Sequence, residues 1–337
     1  MKKTLIKGTG RFVPDNVVTN DDLKQWMETS DEWIRKRTGI EQRHWVPQEG
    51  EMGASDLALE AAGIALDRAG WTPEDLDFII FATLSPDIFF PGSGCLLQYK
   101  LGLSSTPALD IRQQCTGFMY GLATADAYIK SGLANRVLLV GAEVHSTGVE
   151  KATRGRDVAV IFGDGAAAVC LEGVETEENV GVLTSVLYAQ GEYADSLMLE
   201  APASRFAPER LTQQMMDEGR HYPKMNGKRI FKLAVTRLPE LTLEAIAKAG
   251  LSSIDDIDLI IPHQANLRIN QFYQETLNLP DEKIYNNIQR YGNTTAASIP
   301  LAFDEAMEKG LFKKGDTVLF IGLGAGLTWA ANVYRHA

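Results

Sequence analysis

The chain has 337 residues, of which 45% are hydrophobic and 23% are charged, and its 44 acidic and 33 basic side chains give a net charge of −11. At roughly 150 residues per domain, this length predicts two domains or one large two-part domain, and the apolar content excludes an intrinsically disordered chain. The acidic balance argues against a nucleic-acid-binding protein, because such proteins usually present a basic surface.

The N-terminus and the cysteines favour a cytoplasmic protein. The first residues are basic, but Gly8 and Gly10 follow without the apolar segment of a signal peptide, and no apolar run approaches the roughly 18 residues of a membrane span. Cys95, Cys115 and Cys170 are odd in number and far apart, which fits neither a disulfide framework nor a CxxC metal site. We therefore expect a protein of a reducing compartment, without a membrane segment.

Short apolar runs alternate with helical patterns along the chain. The runs that predict buried strands are rich in Val, Ile, Leu and Phe, and they lie at residues 77–84, 136–144, 158–162, 259–262 and 317–321. The segments that predict helices lie at residues 57–69, 116–129, 238–249 and 296–307. Such alternation is typical of an α/β fold with a buried sheet.

The second half of the sequence repeats the first. Residues 57–80 and 238–261 share one pattern of helix, Ala-Gly, acidic turn and strand, and the spacing from Asp77 to Arg136 recurs from Asp258 to Thr317. Two ordinary βα units that agree by chance are the alternative. The repeat predicts one half at residues 1–174 and another at 175–337, joined by the polar segment 175–179.

The repeat also makes a prediction about the site, because it maps Cys115 onto Ala296, just after Asn293. It places Cys115, His263 and Asn293 at strand-to-helix turns, where ligands collect in sheets of this kind. The start of the helix after Cys115 would favour a thiolate through the helix dipole. A buried structural cysteine is the alternative for Cys115, and Cys95 and Cys170 are interpreted as structural.

His263 and Asn293 are the other two candidates. His263 directly follows the predicted buried strand at 259–262, although a structural role is its alternative. Asn293 follows Gly292, and its amide could donate to an enolate or oxyanion; a helix N-cap is the alternative.

Two further segments have an unusual composition. The GLGAG segment at 322–326 matches the nucleotide-binding glycine motif poorly. It is better explained as a turn whose backbone N–H groups face an anionic intermediate, and a plain tight turn is the alternative. Residues 220–237 hold six basic and no acidic side chains, which predicts a docking patch for an acidic partner or phosphate, or a solvated helix face.

Seven motifs now occur in one order: TSDEWI at 29–34, RTGI at 37–40, DIRQQCTGF at 110–118, FGDGA at 162–166, PHQANLR at 262–268, GNTTAAS at 292–298 and GLTW at 326–329. Together they resemble the β-ketoacyl-acyl carrier protein synthase III family of the thiolase superfamily, over nearly the whole chain. The resemblance implies a thiolase-like duplicated αβαβα layered α/β fold with two pseudo-symmetric halves, which agrees with the repeat.

The resemblance also implies an activity. The family joins an acyl-CoA primer to malonyl-acyl carrier protein (ACP) by decarboxylative Claisen condensation, giving a 3-oxoacyl-ACP that initiates fatty acid synthesis. The implied catalytic triad is Cys115, His263 and Asn293, with an acyl-Cys115 intermediate and an oxyanion held by the backbone N–H groups of Cys115 and Ala325. The resemblance implies a homodimer, and we expect no metal site and no bound cofactor.

Binding residues are implied in the same way. Those near coenzyme A are Trp33, Arg37 and Arg156 at the adenine and Gly227, Phe231 and Asn266 along the pantetheine channel. Those for carrier-protein docking are Lys232 and Arg268, and Phe90 is implied in the acyl pocket.

Three departures from the family put the primer in doubt. Gln113 and Gln114 stand where small residues are common, Ala325 replaces the middle glycine of the loop, and residues 195–223 form a longer segment. One alternative is therefore a specialised condensing or acyl-transfer enzyme of secondary metabolism with a long or unusual acyl group. A degradative thiolase is disfavoured because the last cysteine is Cys170, and a non-catalytic carrier-binding module is disfavoured because all three triad residues are present.

Overall fold

The computed structural model describes residues 2–47 and 49–337, and this part of the chain contains thirteen strands and ten α-helices. The strands are β1 (Lys2–Phe12), β2 (Val17–Thr19), β3 (Gln42–His44), β4 (Phe78–Ala82), β5 (Ala108–Ile111), β6 (Arg136–Glu143), β7 (Gly165–Glu175), β8 (Gly181–Ala189), β9 (Leu197–Met198), β10 (Lys224–Met225), β11 (Leu259–Pro262), β12 (Thr317–Gly324) and β13 (Thr328–Arg335). The helices are α1 (Asp31–Thr38), α2 (Ala54–Ala69), α3 (Ser93–Lys100), α4 (Gly117–Ser131), α5 (Arg156–Ala159), α6 (Gln213–Asp217), α7 (Gly227–Lys248), α8 (Leu267–Thr276), α9 (Ile288–Tyr291) and α10 (Ser298–Glu308).

Two mixed sheets carry the fold. The first has the strand order β1-β7-β6-β4-β5 and the second β11-β12-β13-β8. Strand β4 pairs in parallel with β6, as β11 does with β12, whereas β6–β7 and β12–β13 are antiparallel. Two-stranded ribbons, β2–β3 and β9–β10, lie outside the sheets.

Helices cover both faces of each sheet. Helices α4 and α10 lie between the sheets, α2 packs on the outer face of the first, and α7 packs on the outer face of the second. In β6, Val137 and Leu139 face the central core, whereas Leu138 and Val140 face the outer one. Because successive side chains of a strand alternate between faces, a strand buried on both sides is continuously apolar. The layers follow the order αβαβα, which confirms the predicted fold class.

The internal repeat recurs in the backbone register. Phe78 pairs with Val137, and Leu259 pairs with Val318. Leu259 lies 181 residues after Phe78, and Val318 lies 181 residues after Val137. The carboxylate of Asp77 accepts the N–H of Arg136 at 2.8 Å, and that of Asp258 accepts the N–H of Thr317 at 2.7 Å. Agreement at the level of single hydrogen bonds favours duplication over a chance match of two βα units.

The structure differs from the predicted elements in two places. Residues 158–162 do not form a strand: they run from the end of α5 through a turn, and Phe162 makes only an isolated bridge to Asn293. The segment is buried, and a short apolar run does not by itself distinguish a strand from a buried helical turn. Asn293 is preceded by the short helix α9 and not by a strand, so it does not lie at a strand-to-helix turn.

The junction of the predicted halves lies where the chain passes from the first sheet to the second. Strand β7 ends at Glu175 and β8 begins at Gly181, so the boundary at 174/175 lies at the last residues of β7. The division into halves at that residue stays a prediction. In the described residues, no helix has the length and apolar character needed to cross a membrane.

Candidate active site

Cys115 lies where the chain leaves the first sheet. Strand β5 ends at Ile111, and Cys115 sits in a 3-10 turn at residues 114–116 that leads into α4. Its side chain is 5% exposed. Strand β12 passes so close that a Cβ added to Gly324 would lie 2.5 Å from Cys115 Cβ and 3.0 Å from its Sγ. Only glycine therefore allows this strand to run beside the thiol.

His263 lies against the same strand. It directly follows β11, and a Cβ added to Gly322 would lie 2.9 Å from His263 Cβ. Gly322 and Gly324 are two residues apart, so they share one face of β12 and are separated by about 7 Å. Cys115 and His263 are thus neighbours along one face of one strand.

Asn293 is brought to the pair by the next turn. The turn at 295–297 packs against the Cys115 turn, where a Cβ on Gly117 would lie 3.2 Å from Ala296 Cβ. Asn293 Oδ1 accepts the N–H of Thr295 at 2.8 Å, and among the described residues none accepts a hydrogen bond from Nδ2. The amide N–H₂ is therefore free to donate to a ligand.

The imidazole of His263 is neutral. It is 4% exposed, and burial lowers its pKa to about 3 because the charged ring loses its hydration. Its Nδ1 lies 2.6 Å from Ser298 Oγ, whereas Nε2 is buried without a partner in the described part of the chain. A hydroxyl can donate or accept, so Ser298 is compatible with a proton on either ring nitrogen.

The thiol of Cys115 is protonated at rest, contrary to the expectation of a thiolate stabilised by the helix start. Burial, and then the nearby carboxylate of Glu143, raise its pKa to about 12. The backbone N–H groups of Ala325 and of Cys115 itself act in the opposite direction. Desolvation outweighs the helix dipole here because the sulfur is enclosed.

Glu143 is a buried carboxyl beside this site. It lies at the end of β6 and accepts hydrogen bonds from Ser85 Oγ at 2.5 Å and from the N–H of Ala296 at 3.4 Å. Burial raises its pKa to about 7. The 181-residue offset maps Glu143 onto Gly324 and Cys115 onto Ala296, so the contacts Glu143–Ala296 and Gly324–Cys115 are equivalents across the repeat.

The raised pKa of Cys115 predicts a pH dependence. Below that pKa the thiolate fraction rises about tenfold per pH unit, so the rate of Cys115 alkylation by iodoacetamide should rise by that factor from pH 8 to 10, above the range in which Glu143 titrates, without a plateau. Mass spectrometry of a Cys95→Ser protein measures the rate, and peptide mapping distinguishes Cys115 from the second buried cysteine, Cys170. A plateau within that pH range would contradict the protonated resting thiol.

A cavity of about 620 Å³ adjoins the thiol. Its walls include Cys115, Ala325 and Gln114, the loop that follows β4, and part of the long segment 195–223. That long segment therefore contributes to the pocket, through Leu197, Met198 and Leu199 among others.

Phe90 is not among the residues that line this cavity, and its implied place in the acyl pocket stays a prediction. Its side chain is 77% exposed, whereas the preceding residues Ile88 and Phe89 do line the cavity. Lining the cavity does not enclose these two side chains, because Ile88 is 50% exposed and Phe89 is 62% exposed.

A second, outer cavity of about 820 Å³ gathers most of the implied coenzyme A residues. Five of the six line it, namely Trp33, Arg37, Gly227, Phe231 and Asn266, as does Arg268, which is implied in carrier-protein docking. The guanidinium carbons of Arg37 and Arg156 lie 4.3 and 4.4 Å from the centre of the Trp33 ring. Lys36 and Lys228 add positive charge to the lining, and Lys232 is exposed outside it.

Helix caps position this outer cluster. Ser30 Oγ accepts the N–H of Trp33 at 3.1 Å at the start of α1. At the start of α8, Asn266 Oδ1 accepts the N–H of Arg268, and Asn266 Nδ2 donates to the carbonyl of Arg37, both at 3.0 Å. Asn266 thereby fixes the two helix ends against each other.

The basic stretch at 220–237 is not one free patch. Arg220 and Lys224 pair with Glu200, Arg229 pairs with Asp195, and Arg237 pairs with Glu240. Among the described residues, only Lys228 and Lys232 of the six have no ion pair. Positive charge available to a partner is therefore concentrated beside the outer cavity.

Several residues of the site were not predicted from the sequence: Glu143, His145, Thr295 and Ser298. Glu143 could have been found from the repeat, which maps it onto Gly324. His145 is 7% exposed and lines the inner cavity. Among residues 2–47 and 49–337, no group of three His, Cys, Asp or Glu side chains could hold a metal ion.

Comparisons with known proteins agree on one family. The profile for 3-oxoacyl-[acyl-carrier-protein] synthase III matches residues 109–191, and the profile for its C-terminal region matches 246–336. Beta-ketoacyl-[acyl-carrier-protein] synthase III of Caldanaerobacter subterraneus subsp. tengcongensis is 42% identical over 98% of this chain and 97% of that protein. The protein of the same name from Methylococcus capsulatus is 44% identical over 98% of both.

A solved structure shows the same fold. The crystal structure of 3-oxoacyl-[acyl-carrier-protein] synthase III from Aquifex aeolicus VF5 is 41% identical, matches with a TM-score of 0.88, and covers 100% of both chains. The resemblance drawn from the motifs is confirmed.

Proposed function

This chain belongs to the β-ketoacyl-[acyl-carrier-protein] synthase III family of acyltransferase-type condensing enzymes, and from that premise we propose that it condenses an acyl-CoA primer with malonyl-ACP. The product is a 3-oxoacyl-ACP, and the reaction initiates fatty acid synthesis. The proposal is supported by the packing of the Cys115 thiol and the neutral His263 imidazole against two neighbouring glycines of β12, and by the free amide donor of Asn293 in the adjoining segment. The relatives do not favour the alternative of a specialised enzyme of secondary metabolism.

The first half-reaction transfers the acyl group to Cys115. The thiol attacks the thioester carbonyl while its proton passes to His263 Nε2, the buried nitrogen that has no partner in the described residues. The tetrahedral intermediate expels the coenzyme A thiolate, which takes that proton. An acyl-enzyme formed in this way predicts ping-pong kinetics.

The second half-reaction uses the same imidazole as a donor, after the ring has lost its Nδ1 proton to water and gained one at Nε2 between the two half-reactions. When the malonyl thioester loses carbon dioxide, the electron pair of the broken bond forms an enolate. His263 Nε2–H and Asn293 Nδ2–H donate to its oxygen, and Ser298 Oγ–H donates to Nδ1 in this tautomer. A preorganised donor of this kind is typically worth about 3 kcal/mol of transition-state stabilisation.

Carbon–carbon bond formation follows at Cys115. The enolate carbon attacks the acyl carbonyl, and the backbone N–H groups of Cys115 and Ala325 hold the oxyanion. The pKa of the thiol supports this role for the two amides, since both lower it by stabilising negative charge at the sulfur. Collapse of the intermediate releases the 3-oxoacyl thioester and the Cys115 sulfur, which regains a proton.

The outer cavity would bind coenzyme A. Its cationic lining suits phosphate groups, and the Trp33 ring with the nearby guanidinium groups of Arg37 and Arg156 supplies flat surfaces that suit stacking with an adenine. Lys232 and Arg268 would contact the acidic carrier protein at the mouth. We further propose a cytoplasmic homodimer that needs no metal or bound cofactor; the three cysteines are unbonded, as expected in a reducing compartment.

The test is a two-step reaction with the intact chain. Acyl-CoA primers are added first, and the mass increase on Cys115 is read by intact-protein and peptide mass spectrometry. Malonyl-ACP is then added, and loss of the adduct should accompany the appearance of 3-oxoacyl-ACP. Acylation that never leads to a 3-oxoacyl product would exclude the condensing function, and absence of acylation by every primer would exclude the acyl-enzyme.

A further inference from the structure

The cavity beside Cys115 adjoins a side cavity of about 370 Å³. The side cavity extends away from the thiol and is lined in addition by Met52, Ala54 and Val149. Six residues line both cavities: Leu84, Pro86, Asp87, His145, Leu199 and Pro223. We call these six the waist, because they form the shared wall between the two spaces.

The His145 ring is held in a fixed position within the waist. It follows β6, and its ring is 4.5 Å from the Phe162 ring between centroids. Its Nε2 lies 2.8 Å from Thr295 Oγ, and its backbone N–H donates to Asp164 at 2.6 Å. By contrast, Leu199 is 56% exposed and lies at the edge of the cavity.

The chemistry assigned to Cys115 and Asn293 uses no proton of His145. Burial lowers its pKa to about 3, so the ring is neutral, and no carboxylate forms an ion pair with it in the described residues. What the ring contributes to the cavity is therefore its volume and its fixed position.

We propose that His145 limits the length of the acyl group that Cys115 accepts, by closing the waist between the two cavities. This inference rests on the proposed function, since it concerns the primer of that same site. The acyl chain extends from the sulfur into the inner cavity until it meets the His145 ring, and the side cavity behind the ring stays unused. Removing the ring joins the two spaces.

The size of the side cavity sets the expected effect. At about 30 Å³ for a group the size of a water molecule, it has room for on the order of ten such groups. Part of that space is near polar walls such as Asp87, so we expect an opened waist to lengthen the accepted acyl chain by about four carbons.

The experiment compares acylation of Cys115 by a series of straight-chain acyl-CoA thioesters from two to sixteen carbons. The readout is the longest chain that reaches half the maximal rate of adduct formation. His145→Ala should raise this limit by about four carbons, whereas His145→Leu, which keeps a side chain of similar size, should keep the wild-type limit. An unchanged limit in His145→Ala, with normal acylation by short primers, overturns the proposal.

A second position tests the route of the chain. Thr147 is exposed and lines the side cavity but not the inner one, so Thr147→Phe fills space that the native primer does not use. The single variant should keep the wild-type limit, and the double variant with His145→Ala should lose the gain. A double variant that keeps the longer limit also overturns the proposal.

The controls separate the possible failures. If no primer acylates the wild-type chain, the proposed function fails; if primers acylate it and the limits do not move, only the role of His145 fails. Should His145→Ala not fold, as judged by thermal denaturation, His145→Val gives the same comparison with a smaller shift, and no shift there contradicts the proposal.

Discussion

Replacement of Cys115 by serine is expected to lower the rate of acyl-enzyme formation by about 10³-fold or more. A serine hydroxyl is a much weaker nucleophile than a thiol unless a base activates it, and the neutral His263 is a poor base for a group of such high pKa. The size of the side chain hardly changes, so the close approach of Gly324 to this position is preserved. Mass spectrometry after incubation with acyl-CoA measures the effect.

Cys95→Ser and Cys170→Ser are the matched controls for this loss. Cys95 is exposed and Cys170 is buried in the outer core of the first sheet, so neither borders the cavity beside Cys115. Both variants should form the acyl-enzyme at the wild-type rate. Full acylation of the Cys115→Ser protein, mapped to another residue, would remove Cys115 from the nucleophile's role.

Replacement of Asn293 by alanine should separate the two half-reactions. Acylation of Cys115 needs no hydrogen bond from Asn293 Nδ2, so its rate is expected to stay within about threefold of wild type. Condensation loses one of two donors to the enolate and should slow by about 10²- to 10³-fold. Single-turnover measurement of each half-reaction provides both rates, and normal acylation also shows that the variant is folded.

Asn293→Asp is the sharper variant at this position. It keeps an oxygen to accept the Thr295 N–H, which holds the turn, but replaces the donor N–H₂ by a second acceptor. Condensation should therefore be at least as slow as in Asn293→Ala. If Asn293→Asp condensed at the wild-type rate, the amide would not be the enolate donor.

The sequence predicted the architecture well because its two main signals are periodic. Central strands are buried on both faces and therefore appear as apolar runs. The two halves pair their strands in the same way, so the repeat keeps a constant spacing, as the equivalent hydrogen bonds of Asp77 and Asp258 illustrate. Residues 158–162 were assigned to a strand because apolar composition alone does not determine backbone conformation. The helical turn α9 before Asn293 breaks the repeat at one point, and spacing cannot reveal such a break.

The site was predictable in its members and less so in its environment. Cys115, His263 and Asn293 could be named from motifs and strand ends, whereas the pKa of Cys115 depends on enclosure by segments far apart in sequence, which outweighs the helix dipole. Phe89 lines the inner cavity and Phe90 does not, a difference that depends on the course of the loop after β4 and not on a pattern in the sequence. No sequence motif distinguishes His145. Its position in the cavity wall follows from the contacts of its ring with Phe162 and Thr295, which only the structure shows.

The contact of Gly117 with Ala296 connects the chemistry to the middle layer of the molecule. Helices α4 and α10 begin just after Cys115 and Asn293, respectively, and lie together in the central core. The gap between nucleophile and amide is therefore governed by how tightly two helix starts pack. Enlarging a side chain in the contact between the starts of α4 and α10 would alter turnover without altering any surface that contacts a substrate. Protein engineers could use such a change to tune the rate from outside the substrate pocket.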